Sequence, residues 1–321
     1  MTDEIDNKNT GSQNKEEWQA DVINRLAFAA LNEQRRSRRW SIFFRALFLG
    51  YLILILLMAY LPGDSNTKLS KSGVHTALIE VKGVIADGAE ASADNIITGL
   101  RAAFKEQNAK AIILRINSPG GSPVQAGYIY DEIKRLRKEY KNKKVYAVIT
   151  DMCASGGYYI ASAADEIYAD KASIVGSIGV LMNGFGFTGA MEKFGVERRL
   201  YTAGDHKGFL DPFSKVKPSD EKHIHKLLNN IHKQFIAAVK EGRGKRLADD
   251  DKLFSGLVWT GEESVELGLT DGLGSSSFVA RDIIEAPKIV DYTPRPNYLD
   301  RIADRIGITM MNTLSKSFEL R

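Results

Sequence analysis

Two apolar, β-rich runs in this chain each end in a Gly-Gly turn, and each turn opens onto a helical pattern. The first run is Ile112-Ile113-Leu114-Arg115-Ile116. It passes through Asn117-Ser118-Pro119-Gly120-Gly121-Ser122-Pro123 into a helix-like segment from Val124 to about Tyr140. The second, Val145-Tyr146-Ala147-Val148-Ile149-Thr150, passes through Asp151-Met152-Cys153-Ala154-Ser155-Gly156-Gly157-Tyr158-Tyr159 into the alanine-rich Ile160-Ala161-Ser162-Ala163-Ala164. Strands alternating with helices predict an α/β fold with a mainly parallel sheet. Both glycine turns then lie at strand C-terminal ends, where open α/β sheets build their sites.

Ser155 sits on the second turn with two glycines behind it. Its hydroxyl is exposed, side-chain bulk is small, and backbone N–H groups at the helix start stand ready for an oxyanion. A plain helix N-cap would use the same residue without chemistry. The Gly120-Gly121 turn lets the backbone approach a ligand closely with its N–H groups outward. Its spacing matches neither GxGxxG nor GxxxxGK[ST], so no nucleotide site is indicated. A third segment, Tyr201-Thr202-Ala203-Gly204-Asp205-His206-Lys207-Gly208-Phe209-Leu210-Asp211-Pro212-Phe213, places Lys207 in a glycine-flanked loop. A lysine acts as general base only when neutral near the working pH, which demands a pKa several units below about 10.4. Desolvation by Phe209, Leu210 and Phe213 would supply that shift; an ordinary surface lysine is the competing reading. His206 is the rival base.

Together these segments resemble the S49 peptidases, the signal peptide peptidase A (protease IV) group, in its short, single-catalytic-domain, membrane-anchored form. The resemblance rests on Asn117 to Gly121, Ala154 to Tyr159, Gly176-Ser177-Ile178-Gly179-Val180, Ala203-Gly204 through Lys207 to Asp211-Pro212-Phe213, and Trp259-Thr260-Gly261 with Gly268 to Gly274. It spans about Thr76 to Gly274. It implies a Clp protease/crotonase-like fold, Ser155 as nucleophile and Lys207 as general base of a Ser–Lys dyad. The oxyanion would be held by backbone N–H groups of Gly156 and of the Gly120-Gly121 turn, with Tyr158, Ser177 and Asp211 as supporting candidates. It further implies a ring-shaped homo-oligomer in which the lysine reaches a neighbouring subunit's serine. Leu257 departs from the pattern, which has Arg or Lys there, and Cys153 is unusual in the nucleophile turn; it reads as a small buried side chain. The expected activity is that of a serine endopeptidase cutting hydrophobic peptides such as released signal peptides. The alternatives are a crotonase-type acyl-CoA enzyme, which needs neither anchor nor dyad, and an inactive membrane scaffold, which would have lost the dyad.

The charges nearly balance, 44 basic against 40 acidic residues, which excludes a global nucleic-acid-binding charge. No HExxH, CxxC or acidic metal cluster appears. His223, His225 and His232 share one helical stretch at a poor ligand spacing, so neither metal nor cofactor is expected. Residues 1–40 read as a polar tail ending in Arg35, Arg36, Arg38 and Arg39. An apolar stretch from Ala46 to Leu61, extended to Ile42 if Arg45 snorkels, predicts a transmembrane helix over 41–62. A cleaved signal peptide fits less well, because a long polar segment precedes the apolar run and no small-x-small site follows it. The arginines on its N-terminal side predict a single-pass protein with the N-terminus cytoplasmic, the catalytic domain outside and lipid as a partner, and the resemblance implies the bacterial inner membrane. A linker (63–75), a peptidase domain (76–290) and a C-terminal tail (291–321), amphipathic from Tyr298, complete the expected organisation. Within the domain, Ile96, Ile97, Leu100 and Phe104 have helical spacing. Ile224, Leu227, Leu228, Ile231, Phe235 and Val239 form a stripe for the core or a subunit interface.

Overall fold

The structure, a computed structural model, describes residues 33–55 and 73–294. It divides into two units, Met1–Asn66 with Leu299–Arg321, and Thr67–Tyr298. In the first unit, helix α1 covers 33–55 and carries exposed apolar side chains from Trp40 and Ile42 to Ile55. Among the described residues no helix is long and apolar enough to cross a membrane. Residues 56–62 of the expected span, the tail before 33, most of the linker and the tail from 295 onward lie outside the described residues.

In the second unit, β1 (His75–Lys82), α2 (Ala93–Lys105), β2 (Ala109–Ser118), α3 (Pro123–Glu139) and β3 (Val145–Ala154) alternate in chain order. The strands pair side by side and in parallel, with Ile79 opposite Leu114 and Leu114 opposite Ala147. One sheet face presents Ala77, Ile79, Ile112, Leu114, Ile116, Val145 and Ala147 to α2 and α3. The other presents Leu78, Ile113, Tyr146 and Val148 to Val279, Ala280 and Ile284. Both faces are covered, so the strands read as unbroken apolar runs rather than alternating ones. On α2, Ile96, Leu100 and Phe104 are buried as their spacing predicts, and Ile97 packs at the edge. Ser122 caps α3 by accepting the Gln125 N–H, with Pro123 in the first turn.

The end of β3 departs from regular pairing. Ile116 faces Ile149, yet two residues later Ser118 faces Cys153, so β3 bulges over Thr150 to Met152. Through the bulge β3 exchanges one neighbour for another, β4 (Glu166–Ala169) for β5 (Ile174–Gly176). Bulges at sheet margins re-aim the residues that follow them. Here Asn117 Nδ2 braces the bulge by donating to Asp151 Oδ2 at 2.6 Å. Beyond it come α4 (Gly156–Ala161), α5 (Thr188–Phe194), α6 (Pro218–Arg243), the antiparallel strand β6 (Val258–Thr260), α7 (Gly261–Glu266) and β7 (Gly272–Leu273). Thr260 and Glu263 form a reciprocal cap on α7, and Gly268 lies just beyond its end at φ +71°.

The α6 stripe is buried at Phe235 and Val239, whereas Ile224, Leu227, Leu228 and Ile231 stay partly exposed, so its N-terminal half projects from the core. Near the end of the described residues, β8 (Ile289–Asp291) pairs in parallel with Thr76 to Leu78 of β1. A strand of that length carries no periodic signal, and its partner lies at the opposite end of the domain.

Candidate active site

Ser155 joins β3 to α4 at φ 52°, ψ −123°. A non-glycine residue enters that region only when its surroundings hold it there, and such strain clusters at functional turns. The Ser155 N–H donates to the Gly176 carbonyl at 2.9 Å, which anchors the turn to the end of β5. Ser177 follows Gly176 with the same φ of 52°, so two strained serines stand side by side beyond the Ala154–Gly176 pair. The Ser177 N–H donates to the Leu257 carbonyl at 2.7 Å. That contact uses backbone only, and so tolerates leucine where the family pattern has a basic side chain.

The two Gly-Gly turns meet. A Cβ on Gly120 would stand 2.7 Å from Ser155 Cβ and 2.8 Å from the Gly156 nitrogen. A Cβ on Gly121 would stand 2.1 Å from the Ile85 carbonyl oxygen, where Gly121 forms an isolated bridge. Only glycine allows this approach, and the φ values of +102° and +150° add to the requirement. Of the three proposed oxyanion donors, Gly120 is already engaged, since its N–H donates to Ser118 Oγ at 3.1 Å. The Gly121 nitrogen, by contrast, lies 3.3 Å from the place a Gly156 Cβ would occupy. Gly156 itself begins α4, where a backbone N–H has no acceptor within the helix. Among the described residues, the neighbouring N–H groups of Gly121 and Gly156 therefore remain without an acceptor beside Ser155.

Tyr158 serves packing: it is fully buried, its hydroxyl donates to the Leu269 carbonyl at 2.7 Å, and burial pushes its phenol pKa upward. Cys153 is likewise buried, and burial alone drives its thiol pKa up, as befits a small core side chain. Asp211 accepts the Ser214 hydroxyl at 2.6 Å and faces Arg198 at 3.7 Å, so it organises its own loop. Lys207 is exposed, and among the described residues its ammonium has neither a hydrogen-bond nor an ion-pair partner. The expected apolar shield is open: Leu210 and Phe213 are exposed, and Phe209 packs on His223 with ring centroids 5.7 Å apart. His206 Nδ1 lies 3.0 Å from Asp220 Oδ1. The surrounding segment projects apolar side chains outward, with Phe185 83%, Phe194 82% and Tyr201 89% exposed. Ser155 and the glycine turns are thus brought together, and Lys207 and Asp211 belong to the open loop of residues 201–213. Sequence reasoning missed the buried Ser118 hydroxyl, although the residue stood inside the quoted Asn-Ser-Pro-Gly-Gly segment.

A strained serine stands over the ends of a parallel sheet with glycine N–H groups beside it, and the α/β fold that carries it is Clp protease-like by its match to that family. Clp protease is the family that matches residues 72–174, and Peptidase family S49 matches residues 137–288. The chain is 31% identical over 250 residues to a putative protease of Synechocystis sp., covering 73% of this chain and 88% of that protein. It is 30% identical over 239 residues to a putative signal peptide peptidase SppA of Enterococcus faecium, covering 72% and 67%. It is also 47% identical over 210 residues to a Brucella melitensis protein named Na(+)/H(+) antiporter NhaA, covering 65% of this chain but spanning only 28% of that protein. The chain belongs to peptidase family S49, a family of serine peptidases.

Proposed function

We propose that the protein is a membrane-anchored serine endopeptidase that cleaves hydrophobic peptides such as released signal peptides. The observation that carries the reading is Ser155 at φ 52° against the Gly120-Gly121 turn. An acyl-CoA enzyme would use such N–H groups but has no need of a strained serine between them. Ser155 Oγ attacks the peptide carbonyl carbon while neutral Lys207 takes the hydroxyl proton. The carbonyl oxygen, now negative, is met by the Gly121 and Gly156 N–H groups, each worth a few kcal/mol in about the right geometry. Collapse breaks the C–N bond, and the lysine returns its proton to the leaving amine. Water then attacks the acyl-enzyme by the same proton route.

An exposed Lys207 on an apolar, outward-facing segment supports a dyad completed between copies in a ring-shaped homo-oligomer. The exposed apolar face of α1 behind four arginines supports an anchor with the N-terminus cytoplasmic and the domain outside the inner membrane. Ser155→Ala should abolish both peptide cleavage and labelling by a fluorophosphonate, with an unchanged melting temperature. Cleavage near the wild-type rate in that variant would falsify the nucleophile assignment.

A further inference from the structure

Ser118 is the last residue of β2, fully buried, and its backbone lies opposite Cys153 in the register with β3. Its Oγ accepts the Gly120 N–H at 3.1 Å. The next peptide plane is held from its other edge, because the Gly120 carbonyl accepts the Ile85 N–H at 2.9 Å. In a planar trans peptide the C=O and the following N–H point in opposite directions. With the Gly120 carbonyl turned toward Ile85, the Gly121 N–H points away from Ile85, on the side where Gly156 lies. Two successive peptide planes are clamped, one by Ser118 through its N–H and one by Ile85 through its C=O. Ser118 also abuts the nucleophile's own helix: a Cβ on Gly157 would stand 3.2 Å from the Ser118 carbonyl oxygen and 3.7 Å from Oγ. One buried serine therefore borders both halves of the site.

We propose that Ser118 is a positioning residue, whose hydroxyl holds the Gly120 N–H inward so that the Gly121 N–H is aimed at the oxyanion. The proposal rests on the reading of Ser155 as the nucleophile. Without the Oγ acceptor, the Gly120 N–H is left buried and unpaired, and the turn rotates to satisfy it. That rotation carries the Gly121 N–H off its line. The loss falls on the tetrahedral state, where charge sits on the oxygen, and spares ground-state peptide binding.

The test compares two inhibitors on the full chain in detergent: acetyl-Leu-Leu-leucinal, whose carbonyl accepts the Ser155 oxygen to form a tetrahedral hemiacetal, and acetyl-Leu-Leu-leucinol, which cannot. In Ser118→Ala the aldehyde should weaken by about 10- to 100-fold, somewhat less than deletion of a whole oxyanion donor. The alcohol should shift by less than about threefold, and kcat should fall in step with the aldehyde while KM stays within the same threefold margin. Ser118→Cys, which keeps the shape and exchanges oxygen for a poor acceptor, should move the same way and replaces the alanine variant if that one does not fold. Equal losses for aldehyde and alcohol, no loss for either, or failure of both variants to fold would each overturn the proposal. A wild-type chain that binds aldehyde and alcohol alike, and that no fluorophosphonate labels, would instead remove the nucleophile reading beneath it.

Discussion

Gly120→Ala should damage catalysis more than stability, and the structure sets both magnitudes. The added Cβ would lie 2.7, 2.8 and 2.9 Å from Ser155 Cβ, the Gly156 nitrogen and the Ala154 carbonyl oxygen, all of them on the turn at Ser155. Ordinary contact begins near 3.4 Å, so the turn must yield by roughly 0.7 Å. Misplacement of a reacting atom by about 1 Å costs on the order of 100-fold in rate. Residual strain at φ +102° and crowding against backbone together cost about 2–4 kcal/mol. For a domain of this size that corresponds to a melting temperature lower by about 5–15 °C. Gly127→Ala is the matched control. Gly127 lies inside α3 with nothing within 4 Å of its added Cβ, so alanine there should stabilise by about 0.5–1 kcal/mol and leave the rate unchanged. Fluorophosphonate labelling rates and thermal melts of the full chain read both quantities. Labelling of Gly120→Ala within threefold of wild type, or equal damage from the two substitutions, would refute the account of touching turns.

Lys207→Arg should be nearly as inactive as Lys207→Ala, because arginine keeps the charge but cannot release a proton at usable pH; activity above about a tenth of wild type would favour a substrate-binding role. The hydrogen bond from Arg135, joined by one from Arg101, holds the Glu132 carboxyl down at about 2. Its contribution is therefore complete above the ordinary value of about 4.5 and is lost as pH falls toward 2. Glu132→Gln should cost about 1–2 kcal/mol at neutral pH, after screening at the half-exposed arginines, and should flatten the acid limb of a melting-temperature profile. For topology, alkaline phosphatase fused after Gly274 should be active, and a fluorescent protein that matures only in the cytoplasm should be dark there; the reverse pair would place the domain inside.

What was legible in the sequence is what short stretches decide by themselves. Unbroken apolar runs from Ile112 and Val145, closed by Gly-Gly, gave away parallel strands covered on both faces. The serine-glycine turn placed Ser155 at a strand-to-helix corner, because a strained corner needs small residues beside it whatever surrounds it. Tertiary structure decided matters that hinge on partners distant in the chain. Which glycine N–H stays free depends on Ser118 and on Ile85, a residue just beyond the end of β1. The bulge that hands β3 from β4 to β5 is a mismatch of registers, invisible in either strand alone. β8 exists only because β1 offers it an edge. The openness of the Lys207 loop and of the first half of α6 has the same origin: an apolar stripe specifies that something will cover it, and only packing decides whether the covering atoms come from the same chain.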